Sequence, residues 1–208
     1  RVRITVPLAV KDAVVRQVVA DKLDWIRRKQ AEFQSRPRPV PLRLRDGEGH
    51  YFLGRPYRLR VVEQQGAGRV RLGADATLEL RVPVGAALEQ RIALLENWYR
   101  RQLRELLPEL VAKWEQVVGM QAAEWRIRKM STRWGSCNIG ARRIWLNLEL
   151  AKKPLPCLEY VIVHELVHLL EPRHNARFRA LMDRFLPSWR SRREQLNCAV
   201  SGRPLPPP

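Results

Sequence analysis

The chain is poor in cysteine, and its three cysteines show no short paired spacing. Cys137, Cys157 and Cys198 are an odd number, which argues against a disulfide framework and against a zinc site built from thiolates. A chain of 208 residues, 45% of them apolar, is long enough to bury a core without such cross-links. The composition therefore favours a reducing compartment, and we expect a cytoplasmic protein.

Long hydrophobic runs are also missing. No apolar run approaches the roughly 20 residues needed to cross a bilayer, so we expect no membrane association. No signal peptide is recognisable, although the chain begins at Arg1 and not at Met. There is no glycine-rich loop of the kind that cradles phosphates, which argues against nucleotide chemistry.

Acidic residues are few relative to basic ones, and the net charge is +18. Arginine accounts for most of the positive charge, with 32 Arg against 7 Lys. Such a balance favours association with phosphates or acidic surfaces. The basic residues are scattered along the chain, however, and no nucleic-acid-binding motif is recognisable among them. We therefore expect at most a weak, salt-sensitive association with nucleic acid.

Histidine is rare as well, yet three of the four histidines, His164, His168 and His174, lie close together in the sequence. Residues four apart on a helix lie one above the other, so His164 and His168 can converge on one Zn²⁺. Glu165 is one step further around the helix and flanks the metal, where a general base for a zinc-bound water belongs. This run predicts a hydrolytic zinc centre.

Prolines define the helix that carries these residues. Pro154 and Pro156 are start signals, and no Gly or Pro interrupts residues 158–170. Pro172 cannot continue a helix, so the chain turns and His174 can approach the other two histidines. Three protein ligands leave a fourth position open, as in catalytic zinc sites. The prediction is one Zn²⁺ per chain.

Two alternatives to this ligand set remain open. A histidine pair at helical spacing also occurs as a surface pair, or as a hydrogen-bonded interior pair that binds no metal. If His174 is not the third ligand, the acidic candidates downstream are Asp183 and Glu194. Glu171 lies too close in sequence to fold back comfortably.

The whole chain divides into three predicted parts. Residues 1–85 are expected to form a mainly antiparallel β part with one helix over about residues 10–33, and residues 86–197 the catalytic part. Residues 198–208 are rich in proline, and we expect them to be disordered. Short apolar segments separated by turn residues predict four strands in the first part, at residues 51–53, 57–62, 69–72 and 78–82.

The catalytic part is expected to begin with a long helix over residues 86–118, which Pro108 kinks or divides. A hairpin turn is predicted at residues 138–140, and Asn175 is the predicted N-cap of a later helix. Two strand-like segments are predicted at residues 124–130 and 142–148. Two short helices are predicted at residues 176–185 and 187–196.

Four segments in the last part of the chain carry a resemblance to a known family. They are Met130-Ser131-Thr132-Arg133-Trp134-Gly135-Ser136-Cys137-Asn138, Ile144-Trp145-Leu146-Asn147, Tyr160-Val161-Ile162-Val163-His164-Glu165-Leu166-Val167-His168 and His174-Asn175-Ala176-Arg177-Phe178. In these segments the chain resembles the YgjP-like family of bacterial metallopeptidases, a branch of the zincins. It is more distantly similar to SprT-like and WLM proteases.

The resemblance implies an α+β fold of the zincin type, in which an active-site helix packs under a small antiparallel sheet. It also implies that His164, His168 and His174 bind zinc, that Glu165 is the base, and that the substrate is a peptide or protein. The metzincin subclass does not fit, because Glu171 stands where its motif has Gly and no Met-turn follows.

The segment Trp134-Gly135-Ser136 has two interpretations. A sheet edge beside the metal can hold an extended peptide by strand addition, and Gly135 would then permit close approach of the two backbones. Alternatively, Trp134 belongs to the core and Gly135 is a bulge between paired strands.

Four other residues have provisional roles. Arg133 and Asn147 either orient groups around the metal or satisfy local backbone groups. Arg173 and Tyr160 are the candidates for stabilising the oxyanion. No oligomeric state is predicted.

The sequence thus predicts a zinc-dependent metallopeptidase in which Glu165 takes a proton from water and delivers it to the leaving amine. A metal-dependent nucleotide phosphohydrolase is the second hypothesis, and the missing phosphate loop counts against it. A non-enzymatic basic zinc module that binds nucleic acid is the third, and no helix suited to reading a groove supports it.

Overall fold

The computed structural model describes residues 4, 6–7, 10–35 and 43–197. Backbone contacts divide the chain into two units, Arg1–Val40 and Pro41–Pro208. The predicted boundary after residue 85 stays a prediction, and the predicted disordered tail at residues 198–208 lies outside the described residues.

The first unit contains two helices where the sequence predicts one. They are α1, Asp12–Asp21, and α2, Leu23–Ser35. Lys22 separates them with φ −103° and ψ 3°, and its N–H bonds to the carbonyls of Val19 and Ala20. The single predicted helix is therefore wrong at this point, because apolar spacing does not report a one-residue break in the backbone.

The second unit begins with a four-stranded sheet, and all four predicted strands are confirmed. They are β1, Gly49–Phe52, β2, Arg55–Gln64, β3, Arg69–Leu72, and β4, Thr77–Pro83. The spatial order is β1-β2-β4-β3, with antiparallel pairs at both edges and a parallel β2–β4 pair in the middle. The parallel pair arises because β3 occupies the outer edge, so the chain reverses twice between β2 and β4.

A 31-residue helix, α3, Leu88–Val118, follows and ends at Gly119, whose φ is +73°. Pro108 lies inside this helix without dividing it. Proline removes one backbone hydrogen bond, but a buried stripe on both sides of it holds the helix in place. That stripe consists of Leu95, Trp98, Tyr99, Leu103, Leu107, Val111, Trp114 and Val118. One face of α3 contacts the first sheet and α4, defined below.

A second sheet of three strands follows α3. Its members are β5, Glu124–Arg128, β6, Gly135–Asn138, and β7, Arg143–Asn147, in the order β5-β7-β6. The predicted hairpin is confirmed as the antiparallel β6–β7 pair, but β6 was not among the predicted strands. The β5–β7 pair is parallel, so the sheet is mixed and the prediction of an antiparallel sheet is wrong in this detail.

Three helices close the described chain. The helix that carries His164 and Glu165 is α4, Leu155–Val167, and it is followed by α5, Ala176–Phe185, and α6, Trp189–Asn197. Almost every residue of α4 from Cys157 onward is buried, because α3, α5, α6 and the β6–β7 hairpin surround it. The predicted α+β class, with the motif helix packed against a small sheet, is confirmed.

Helix α4 ends three residues earlier than predicted, and α5 has the bounds that the sequence predicts. Among the described helices, none combines the length and the apolar character that a bilayer crossing requires.

Candidate metal centre

The three clustered histidines converge in the structure. One ring nitrogen from each of His164, His168 and His174 lies within 4.8 Å of the other two. The Nε2 atoms of His164 and His174 are 2.9 Å apart. Two nitrogens of a tetrahedral zinc site lie about 3.3 Å apart, since each is about 2.0–2.1 Å from the metal. The cluster therefore has nearly the spacing of a metal site.

The chain reaches His174 by a tight turn at the end of α4. Leu169 and Leu170 donate backbone hydrogen bonds to carbonyls three residues earlier, so the helix narrows and ends. Asn175 then begins α5, and its Oδ1 accepts from the N–H of Phe178 at 2.9 Å. The predicted N-cap is thus confirmed. His174 is held between this cap and the turn.

Two of the histidine rings have a polar neighbour at Nδ1, and for His168 this contact shows which nitrogen carries the proton. Nδ1 of His168 lies 3.2 Å from the carbonyl oxygen of Glu171. A carbonyl only accepts, so Nδ1 donates and Nε2 keeps its lone pair for a ligand. Nδ1 of His164 is 3.5 Å from the Tyr160 hydroxyl.

The pKa values favour neutral rings. Burial, reinforced by the nearby His168 and His174, lowers the pKa of His164 to about 3. Burial also lowers the pKa of His168 below its ordinary value. Since a metal binds the neutral imidazole, both rings are in the ligating form near pH 7.

Phe178 belongs to this centre, although sequence reasoning gave it no role. Its ring is 2% exposed and its centroid lies 5.0, 4.8 and 4.7 Å from those of His164, His168 and His174. It fills the space on one side of all three imidazoles. The only available signal was its position one turn beyond His174, at the start of a capped helix.

The two acidic residues considered as alternative third ligands do not lie with the histidines. Asp183 accepts from Trp189 Nε1 at 2.7 Å and pairs with Arg190. Among the described residues, the cluster of potential ligands contains neither Asp183 nor Glu194. The structure therefore does not bring either carboxylate to the histidines.

Glu165 is buried beside the histidines, with 5% of its surface exposed. Burial raises the pKa of its carboxyl to about 8, against a smaller opposing influence of Arg133. The described structure gives it no ion pair. An unpaired carboxyl in such a place is the environment expected of a general base or acid.

Gly135 stands directly against this carboxyl. A Cβ atom built on Gly135 would lie 2.8 Å from Cγ and 2.9 Å from Cδ of Glu165, closer than real Cβ contacts. Gly135 also pairs one-to-one with Leu146 in a regular register, so the predicted bulge is wrong. The glycine is needed because the side chain of Glu165 occupies the space that a Cβ would take.

A cavity of about 620 Å³ opens over the histidines and Glu165. Trp134, Gly135 and Ser136 all lie in its wall. Trp134 also packs on the core and under the ammonium group of Lys153, at 5.3 Å. The predicted contact with the core is thus confirmed, and the contact with substrate stays a prediction.

The β6 strand is an edge of the second sheet. The N–H of Asn147 bonds to the carbonyl of Trp134 at 2.9 Å. Since antiparallel strands alternate between bonded and non-bonded pairs, Ser136 faces β7 while Gly135 and Cys137 direct their backbone groups to the open side. An edge with no strand partner among residues 4, 6–7, 10–35 and 43–197 therefore borders the cavity.

The remaining predicted residues separate into two groups. The side chain of Asn147 accepts from the N–H of Met130 at 3.2 Å and donates to the carbonyls of Met130 and Arg133 at 2.8 and 2.7 Å. It therefore satisfies the local backbone, as one of its two interpretations held. Tyr160 and Arg133 line the cavity, whereas Arg173 does not.

Arg193, on α6, lines the cavity too and was missed by sequence reasoning. It lies 19 residues beyond the last histidine of the cluster. No local pattern marks it, because only the packing of α6 against α4 brings it to the site.

Comparison with known proteins was made on sequence and on structure. No curated protein matches the chain significantly. A partial structural likeness exists to the metallopeptidase zymogen of Pyrococcus abyssi abylysin, with 21% identity and a TM-score of 0.38, covering 42% of this chain and 86% of that one. Residues 1–199 match the YgjP-like metallopeptidase domain. This match spans nearly the whole sequence, and the chain belongs to the YgjP-like metallopeptidase family.

Proposed function

We propose that this metallopeptidase is a zinc-dependent peptidase in which His164, His168 and His174 hold one Zn²⁺ and Glu165 is the general base. The convergence of three imidazole nitrogens within 4.8 Å of one another carries the proposal. The family assignment supports it independently.

The donor set fits zinc. Two of the three imidazoles have lowered pKa values, and the Nδ1 contact of His168 leaves its Nε2 available. Three imidazole ligands leave a coordination position for water or substrate, as in catalytic zinc sites. A bound Zn²⁺ supplies a Lewis acid that polarises a carbonyl and lowers the pKa of a coordinated water to about 7.

Glu165 performs the proton transfers. Burial favours the protonated form of Glu165, whereas the charge of a bound Zn²⁺ would favour the carboxylate. The carboxylate then accepts a proton from the attacking water and delivers it to the leaving amine. Burial and the lack of an ion pair leave both oxygens available for this exchange. Gly135 keeps the carboxyl in place by offering no Cβ against it.

The edge strand β6 binds the peptide. An extended substrate adds to the open side of β6 through the backbone groups of Gly135 and Cys137, beside Trp134 and Ser136. Such pairing would hold the scissile bond over the histidine cluster, because β6 and α4 are in direct contact. The affinity for the peptide would then come from main-chain hydrogen bonds, which any peptide sequence can form.

The test pairs metal analysis with a proteolysis assay on a denatured protein. We expect one zinc per chain and metal-dependent cleavage in the wild type. Glu165→Gln keeps the zinc and loses activity by about 10²–10⁴-fold, the usual contribution of a positioned acid–base group. His174→Ala loses zinc as well. Retained cleavage by zinc-loaded Glu165→Gln would rule out the assigned base.

The same preparations separate the two other hypotheses. A nucleoside triphosphate panel detects phosphohydrolase activity, and nucleic-acid binding that is unchanged in Glu165→Gln would indicate a non-enzymatic module. We expect neither phosphohydrolase activity nor tight, specific nucleic-acid binding, since the family assignment favours peptide substrates.

A further inference from the structure

Two arginines, Arg133 and Arg193, line the cavity over the histidines. Arg133 lies two residues before the edge strand β6, and Arg193 lies on α6, so they belong to different walls. Both side chains are exposed. Two cations therefore face the space that the substrate would occupy.

The neighbours of these arginines are paired, which makes the cavity arginines distinct. On α6, Arg190 pairs with Asp183, and Arg192 donates to Glu159 at 2.8 Å. Arg193 has no carboxylate partner in the part of the chain that the structure describes. Two of the three arginines of α6 are thus neutralised locally, and the third is directed to the cavity uncompensated.

Arg133 contrasts with two arginines of the second sheet. Arg126 and Arg143 both pair with Glu124 on the strands, while none of the described carboxylates pairs with Arg133. The only carboxylate among the cavity residues is Glu165, which is 5% exposed and committed to proton transfer in the function proposed above. The accessible charge of the cavity wall is therefore positive.

Guanidinium groups bind carboxylates through two parallel N–H···O bonds, which gives both energy and orientation. We propose that the cavity selects peptides that carry a carboxylate, with Arg133 and Arg193 as its specificity-determining residues. This inference rests on the proposed peptidase function. The carboxylate comes either from an acidic side chain or from a free C-terminus, and the experiment distinguishes the two.

Binding is measured on zinc-loaded Glu165→Gln, which holds peptides without cleaving them. Four fluorescent peptides of one sequence combine a central Glu or Gln with a free or amidated C-terminus. We expect the preferred carboxylate peptide to bind about tenfold more tightly than the neutral peptide, the ratio that one hydrogen-bonded charge contact gives. The preference decreases as salt is added. Tighter binding of the Glu peptides would identify an acidic side chain as the source of the carboxylate, and tighter binding of the peptides with a free C-terminus would identify the terminal carboxylate.

Arg133→Gln and Arg193→Gln, each added to the binding variant, are expected to remove most of the preference. Arg104→Gln is the matched control, because Arg104 is exposed on α3 and lies outside the cavity wall. Equal affinity for all four peptides, or no binding at all, would overturn the proposal. An equal loss in Arg104→Gln would also overturn it, since overall charge would then account for the effect.

Cleavage of the same four peptides by the wild-type enzyme separates this proposal from the proposed function. Selective binding without cleavage by the wild type rejects the peptidase and keeps the carboxylate site. Cleavage without selectivity keeps the peptidase and rejects the carboxylate site.

Discussion

Helix α4 buries two glutamates six positions apart, and their surroundings are opposite. Glu159 accepts from Lys113 at 2.7 Å, from Trp114 at 3.3 Å and from Arg192 at 2.8 Å. Glu165 has no ion pair among the described residues. Burial raises the pKa of Glu159, but the two cations outweigh it and hold the pKa below its ordinary value. Burial dominates at Glu165 and raises its pKa to about 8.

The two carboxyl groups differ in whether cationic side chains neutralise them. Glu159 joins α3, α4 and α6 through charged hydrogen bonds, so its charge is satisfied and unavailable. Glu165 lines the cavity, and no side chain in the described part of the chain pairs with its carboxyl. Such an environment is typical of groups that exchange protons. The two glutamates differ in their partners and not in whether they are buried. Three substitutions test this comparison, and they follow in order of expected effect.

Gly135→Ala disturbs the Glu165 end of the helix. The added Cβ meets three atoms of Glu165 within contact distance, so the carboxyl must shift. We expect kcat to fall by about 10²-fold, as misplacement by about 1 Å can produce, with KM and zinc content nearly unchanged. Steady-state kinetics and metal analysis measure this.

Gly140→Ala is the matched control for that substitution. A Cβ there has only an ordinary contact, 3.7 Å from Oδ1 of Asn138. The interpretation of Gly135 would fail if both alanine variants kept full activity.

Glu159→Gln disturbs the other end of α4. It removes the charge that satisfies Lys113 and Arg192, and we expect the free energy of unfolding to fall by about 2 kcal/mol with activity retained. Because the folded pKa of Glu159 is lowered, its stabilisation is present above the unfolded pKa of about 4.3 and is lost as the pH falls below it. Urea unfolding at pH 7 and pH 3 therefore shows a gap between wild type and variant that narrows in acid.

An unchanged gap at both pH values would show that packing and not charge causes the loss. If Glu159→Gln instead abolished catalysis with the fold intact, the distinction between the two glutamates would be wrong.

Asn175→Ala gives the smallest expected effect. It removes the side-chain oxygen that caps α5, and the usual cost of such a loss is about 1 kcal/mol. Since the cap holds the segment that carries His174, we also expect weaker zinc binding, measured by competition with a chelator. Asn175→Asp preserves the capping oxygen and should behave as the wild type, so equal weakening in both variants would contradict the capping role.

Local patterns predicted much of this fold and site. The four strands of the first sheet, helix α5 and its cap follow from alternation, apolar spacing and turn residues, all of which act over a few positions. The strand β6 was missed because Gly-Ser-Cys-Asn has no apolar alternation and pairs only through its neighbour β7. The parallel β2–β4 and β5–β7 pairs were missed because pairing direction depends on chain reversals between distant segments.

The site divides in the same way. The spacing of His164 and His168 on one helix, followed by a proline that forces a turn, determined which three imidazoles meet. The role of Gly135 and the presence of Arg193 had no local signal, because each depends on contact with a residue more than twenty positions away. Phe178 is an intermediate case. Its place on a predicted helix, one turn beyond His174, follows from the sequence, but its contact with all three imidazoles does not.

The sequence by itself determined the cluster of three histidines and the helix at whose end two of them lie, because helical periodicity and proline stereochemistry are properties of adjacent residues. Tertiary structure decided that Glu159 is paired while Glu165 is not, that a glycine from another strand makes room for the second carboxyl, and that two arginines face the cavity. These features arise from packing between segments far apart in the chain, and burial and charge depend on the complete set of neighbours.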